Sequence, residues 1–254
     1  MAPTVILIRH GEALHNKSSQ LKKSPRSSDI WKHEWELPDP ELTKKGREQC
    51  SKLAADLEER LPFSRDECRI VVSPLKRTLQ TVRHGLQWLR NLDVPVEVRA
   101  EWQETSENPC DIGTEVALLQ KDWPDFDFSG LDPVYPQKTG LYEASEDAFR
   151  RRASFAIRWL FERPEKCIVV VTHSGFLKRA LNTGESDRFQ NVEYRVYEFD
   201  ENSEEPQLRE IDRRKPLESY PDTEERQSWS RKGGRASDEK ELADELADQF
   251  DAIP

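Results

Sequence analysis

Four short apolar runs in this chain each end in residues able to do chemistry. Val5 to Ile8 leads into Arg9-His10-Gly11-Glu12, and Ile168 to Val171 leads into Thr172-His173-Ser174-Gly175. Arg69 to Val72 ends in Ser73-Pro74-Leu75-Lys76-Arg77-Thr78, and a run from Val94 to Val98 is followed by Glu101-Trp102-Gln103-Glu104. Two histidines, two arginines and nearby carboxylates suit phosphoryl transfer. A phosphoryl group spreads negative charge over three oxygens, and a guanidinium fork matches two of them while never losing its proton. A neutral imidazole held in one tautomer can attack phosphorus, a second can hydrogen-bond an equatorial oxygen, and a carboxylic acid can protonate the departing alkoxide. With that much positive charge supplied by side chains, no metal or other cofactor is expected.

These residues converge only if the runs are neighbouring strands. Val5–Ile8 and Ile168–Val171 are short and β-branched, the pattern of parallel strands buried on both faces. Helices are expected from Thr43 as N-cap to Arg60 (inward Cys50, Leu53, Ala54, Leu57, Leu61) and from Leu75 to Leu92. A short one is expected over 115–122 behind Thr114, and a long one from Ser145 to Phe161 with Phe149, Phe155, Ala156, Trp159 and Leu160 inward. A further helix starts after Ser174, and strands are read at Asn191–Asp200 and Gln207–Ile211. Alternating strands and helices imply an α/β fold, a three-layer α/β/α sandwich with a mostly parallel sheet. Active sites of such sheets lie beyond the carboxyl ends of the strands. The domain is read as 1–211, with insertions at 17–40 and 105–144, and 212–254 as a charged tail with a possible helix at 238–250.

The four segments together resemble the histidine phosphatase superfamily, also called phosphoglycerate-mutase-like. Arg9-His10-Gly11-Glu12 is similar to its signature, and Leu42-Thr43-Lys44-Lys45-Gly46 to its first helix start. Ser73-Pro74-Leu75-Lys76-Arg77-Thr78-Leu79-Gln80-Thr81 and Val169 to Leu177 match two more segments in the family's order. The resemblance implies a phosphomonoester hydrolase with His10 as the phosphorylated nucleophile. Arg9, Arg77 and His173 would grip the phosphoryl group, Asn16 would contact it or else cap a helix, and Glu104 would be the acid and base. Asp111 is the runner-up for that last role, with Glu101 and Glu107 also nearby. Gly11 would let the backbone pass close to phosphate, and amides near Ser174 would line the pocket. The family's cofactor-dependent mutases follow their glutamate with Arg and an aromatic-Gly pair; here Thr105-Ser106-Glu107-Asn108-Pro109-Cys110 follows, which favours hydrolysis. A mutase and a weakly active phospho-ligand-binding protein remain the alternatives.

Charge and composition bound the partners. The net charge is −10, and from Glu201 onward acidic residues outnumber basic ones 16 to 9, so most of the acidity lies in the tail. That disfavours an anionic membrane surface and gives no sign of nucleic acid. Cys50, Cys68, Cys110 and Cys167 form no C-x-x-C pair and read as reduced thiols of a cytoplasmic protein. The N-terminus lacks a secretory pattern, and no apolar stretch approaches the ~18 residues of a membrane helix. Trp31, Trp35, Trp123, Phe126, Phe128, Tyr135 and Tyr142, with Lys22, Lys23, Lys32 and Lys138, lie in the two insertions. They suggest a cap with apolar and cationic contacts over a small organic phosphate. His15, His33 and His84 have no motif support and are expected at the surface.

Overall fold

The computed structural model describes residues 2–16, 36–61 and 64–214. Trp31, Trp35, His33, Lys22, Lys23, Lys32 and the helix expected at 238–250 lie outside them. Six strands form one sheet in the order β3-β2-β4-β1-β5-β6: β1 (Thr4–Arg9), β2 (Cys68–Val72), β3 (Val96–Val98), β4 (Cys167–Thr172), β5 (Tyr194–Phe199) and β6 (Leu208–Arg214). The first four run parallel; β5 is antiparallel to β1, and β6 is antiparallel to β5.

Alternate residues of the buried strands feed two cores, which makes the three layers. Ile6, Ile8, Ile70, Val72, Val169 and Val171 face one side, under helices α1 (Lys44–Arg60) and α2 (Lys76–Gly85). Val5, Leu7, Val71, Ile168 and Val170 face the other, under α5 (Glu146–Phe161) and α6 (Ser174–Ala180). Between these pairs in the chain lie the short helices α3 (Gln87–Arg90) and α4 (Val116–Asp122). The caps read from sequence hold: Thr43 Oγ1 accepts from Gly46 N at 3.0 Å, and Ser145 Oγ accepts from Ala148 N at 3.3 Å.

Several expectations need correction. The helix over 75–92 breaks at Leu86, which leaves helical geometry at φ −124°, ψ 16°. Thr114 does not cap α4; its N–H and hydroxyl both donate to Asp39 Oδ2, at 3.0 and 2.8 Å. Phe155 is 49% exposed, because the buried stripe of α5 runs Phe149, Arg152, Ala153, Ala156 and Leu160, and Phe155 falls out of phase with it. The last strand continues to Arg214, past the expected boundary at 211. As an edge strand paired on one side, it needs no apolar alternation, so its charged sequence hid it. Trp123, Phe126, Phe128, Tyr135 and Tyr142 are buried in the core on the α1/α2 side. Arg83 lies over the Trp123 ring at 3.8 Å, so these aromatics anchor the segment 105–144 to the body.

Candidate active site

Strand register brings the chemical residues together. Arg9 pairs with Thr172 at the ends of β1 and β4, and the next residue on each strand is a histidine. His10 N–H donates to Thr172 O at 3.0 Å, and Ser73 N–H donates to Val171 O at 3.1 Å. The rings of His10 and His173 lie 5.2 Å apart.

His10 is 2% exposed. Its Nδ1 stands 2.7 Å from Gly11 O. A carbonyl only accepts, so Nδ1 carries the proton and Nε2 keeps its lone pair. Burial holds the pKa well below the usual 6.5, and the charges of Arg77 and Arg9 push it the same way. The ring is therefore neutral at neutral pH. His173 is wholly buried, its Nε2 is 2.8 Å from Ser73 Oγ, and burial followed by the charge of Arg77 lowers its pKa in the same manner.

Arg77, at the start of α2, is 1% exposed. It donates from Nη1 to Cys110 O at 2.7 Å and from Nη2 to Asp111 Oδ1 at 2.9 Å. Asp111 Oδ2 in turn accepts from Ser106 Oγ at 2.6 Å. Asp111 thus serves Arg77. Arg9 donates from Nη1 to Phe189 O at 2.9 Å, and Ser174 Oγ reaches the same carbonyl at 3.4 Å. Asn16 Oδ1 accepts from Ala13 N at 3.1 Å and from Asn191 Nδ2 at 3.3 Å, and that Asn191 amide also donates to His10 O at 3.1 Å.

Glu104 lies at the amino end of α6. Its carboxylate accepts from Thr105 N at 2.8 Å and from Gly175 N at 3.0 Å. A Cβ on residue 175 would stand 2.4 Å from Glu104 Oε1, so the glycine makes room for the carboxylate. Gly11 has a different reason from the expected one: a Cβ there would meet Gly46 O at 2.8 Å and Cys50 Sγ at 3.0 Å. Gly46 is tighter still, since its Cβ would stand 2.0 Å from Glu12 O. Both glycines seat the His10 loop on α1.

Sequence reasoning missed several residues. His15 is only 7% exposed, with its ring 5.9 Å from that of His10, not at the surface. Asp39 is 1% exposed and accepts from Lys76 N at 2.9 Å, tying the start of α2, and so Arg77, to Thr114. The Asp39-Pro40 pair at the end of the expected insertion 17–40 gave no sign of this. Lys138 donates from Nζ to Glu104 O at 2.9 Å. Burial, then the nearby Arg152 charge, lowers its pKa to about 7. Among the described residues, no helix is long and apolar enough to cross a membrane.

A family model, the histidine phosphatase superfamily (branch 1), matches residues 5–212. The chain belongs to this superfamily. A probable phosphatase of Schizosaccharomyces pombe is 29% identical over 174 residues, covering 67% of this chain and 73% of the relative. Phosphoglycerate mutase-like protein 1 of Arabidopsis thaliana is 26% identical over 222 residues, covering 76% of each. Among solved structures, the ecdysone phosphate phosphatase of Bombyx mori, in complex with tungstate, superposes with a TM-score of 0.55. It is 13% identical and covers 87% of this chain and 96% of its own. That match speaks for the fold, which is the phosphoglycerate-mutase-like sandwich of the superfamily.

Proposed function

We propose that this histidine phosphatase superfamily member hydrolyses small phosphomonoesters through a phosphohistidine at His10 Nε2. The observation that carries the reading is the 2.7 Å approach of His10 Nδ1 to Gly11 O. The Nδ1 proton is held by Gly11 O, which leaves Nε2 unprotonated in a buried ring whose neighbours are Arg77, Arg9 and His173. A phosphatase and mutase-like proteins among the relatives, and tungstate bound to one structural neighbour, are consistent with an oxyanion site.

The chemistry follows in two displacements. His10 Nε2 forms a bond to phosphorus as the bond from phosphorus to the ester oxygen breaks, and Glu104 gives its proton to that oxygen. Water then attacks the phosphohistidine; Glu104 takes a proton from the water, phosphate leaves, and Nε2 recovers its lone pair. Arg9, Arg77 and His173 offset the charge on the equatorial oxygens, so the reaction runs on side chains without a metal. Glu104 is the better donor than Asp111, because Asp111 is committed to Arg77. Glu104 gives a proton at the first step and takes one at the second, so one carboxyl serves as acid and then as base.

A second reading, return of the phosphoryl group to another hydroxyl, gains from the structure. The cations missing from residues 105–110 are supplied beside Glu104 by Lys138 and Arg152. Product analysis with phosphoglycerate distinguishes transfer from release of phosphate. For the main reading, the assay is p-nitrophenyl phosphate turnover by wild type and His10→Ala, with rapid quenching on a ³²P-labelled ester. Turnover should fall about 10³-fold or more in the variant. Label should be trapped as acid-labile, alkali-stable phosphohistidine at residue 10. Full activity of His10→Ala would refute it.

A further inference from the structure

Cys68 and Cys167 face each other at the end of the sheet away from His10. They open β2 and β4, and these strands pair in parallel with Cys68 opposite Cys167. Residues directly opposite on neighbouring strands point to the same face, and both cysteines lie in the core under α1 and α2. Further along, that face is filled by opposite pairs of branched side chains, Ile70 with Val169 and Val72 with Val171. Of these three rungs, only the first carries thiols. A rung of valines would continue the pattern, so packing by itself does not call for two sulfurs.

The spacing suits a covalent link. Neighbouring strands stand about 4.8 Å apart, inside the ~4.4–6.8 Å Cα separation that a disulfide spans. The two thiols already share a hydrogen bond, and it acts on them in opposite directions. The Cys167 thiol beside it lowers the pKa of Cys68, whereas the same bond and then burial raise that of Cys167. One sulfur therefore ionises more readily while the other keeps its proton, as in a dithiol that oxidises in two steps. For Cys50 and Cys110, burial is the largest influence and pushes each thiol up to about 12. Both paired sulfurs are buried, but the rung lies one residue inside Glu67 and the exposed Lys166, which form an ion pair. Strand ends open more easily than strand centres, so a small oxidant has a short way in.

We propose that Cys68 and Cys167 are a modification site at which hydrogen peroxide closes a cross-strand disulfide, stapling two neighbouring interior strands. The Cys68 sulfur attacks one peroxide oxygen, the O–O bond breaks, and Cys68 becomes a sulfenic acid as water leaves. The Cys167 sulfur then attacks the Cys68 sulfur. The S–S bond forms, the S–O bond breaks, and hydroxide departs with the Cys167 proton as a second water. Two thiols are oxidised, and one peroxide is reduced to two waters. The link lies at the strand ends opposite His10 and His173, so it constrains the unfolded chain and leaves the candidate active site as it is.

The test is peptide mapping of folded wild-type protein treated with excess hydrogen peroxide, quenched with catalase, then unfolded and alkylated. The untreated protein should take up one alkyl group on each of its four free cysteines, and the treated protein only two. A tryptic digest should join peptide 66–69 to peptide 167–178, and dithiothreitol should separate them. The bridge closes a loop of about 100 residues, so the urea midpoint should rise by about 1 M or more. Cys68→Ala and Cys167→Ala should each keep three alkylatable thiols after peroxide and show no rise. Should either variant fail to fold, the wild-type map still decides. Four alkylated thiols after treatment, links to Cys50 or Cys110, Cys68 carried on to sulfinic acid with Cys167 still alkylatable, or a midpoint that does not rise overturns the inference. None of these readouts depends on the proposed hydrolysis.

Discussion

Acidification should unfold this protein through its buried imidazoles, and the size of the effect can be worked out. His10, His15 and His173 are all buried, and burial first, then the charge of Arg77, holds each pKa well below 6.5. The unfolded chain binds protons at these rings near pH 6.5, and the folded one does not. A depressed folded pKa means that the stability is present above 6.5 and is lost as pH falls. With the folded rings neutral throughout, each costs about 2 kcal/mol between pH 7 and 5, or about 6 kcal/mol for three. That is a large share of the ~5–15 kcal/mol that holds a domain together. Asp39 opposes the trend, since burial raises its pKa and the folded state keeps its proton longer. Urea unfolding at pH 7, 6 and 5, in buffers without phosphate, measures the loss. His173→Gln removes one titrating ring and should remove about 2 kcal/mol of it. If wild type and His173→Gln lose stability in parallel between pH 7 and 5, the ring is charged in the folded state and the reasoning fails.

Two substitutions probe the acid–base end of the site. Glu104→Gln should slow turnover of an alkyl phosphate by about 10²- to 10⁴-fold; with p-nitrophenyl phosphate, whose leaving group needs no proton, stopped flow should show a burst of nitrophenolate followed by slow dephosphorylation. Absence of both the burst and the slowing would remove Glu104 from the mechanism. Gly175→Ala places a Cβ 2.4 Å from Glu104 Oε1 and should reduce kcat at least tenfold. Because alanine favours a helix over glycine by about 1 kcal/mol, its melting temperature should change little, and a fully active Gly175→Ala enzyme would show that the carboxylate position is not critical.

What could be read in the sequence was whatever local patterning enforces. Val5–Ile8 and Ile168–Val171 are short runs rich in β-branched residues, which read as buried strands. The parallel pairing of these two strands, with Arg9 opposite Thr172, sets His10 beside His173. Thr43 and Ser145 were legible as caps because the cap hydrogen bond closes within three residues. The elements that escaped are held by long-range partners instead. Thr114 looks like a cap and is taken by Asp39, 75 residues away. Asp111 looks like a spare acid and is taken by Arg77, 34 residues away. Arg152 shares a helix face with Phe149 and Ala156, where a charge has no local reason to be.

The same distinction separates the two halves of the site. The phosphoryl end is built at strand termini, where backbone register does the positioning, so residue types and spacing suffice to find it. The leaving-group end is built from α5, the amino end of α6 and the segment 105–144, brought together by side-chain contacts such as Lys138 to Glu104 and Gly175 to Glu104. A loop can exchange such contacts without disturbing the sheet. In the proposed reaction, attack on phosphorus would therefore draw on residues that the sheet positions, whereas the acid–base step would draw on contacts that a loop can exchange. Lys138, carried on a loop, can be changed with least cost to folding, and Arg152, committed to a helix face in the core, with most.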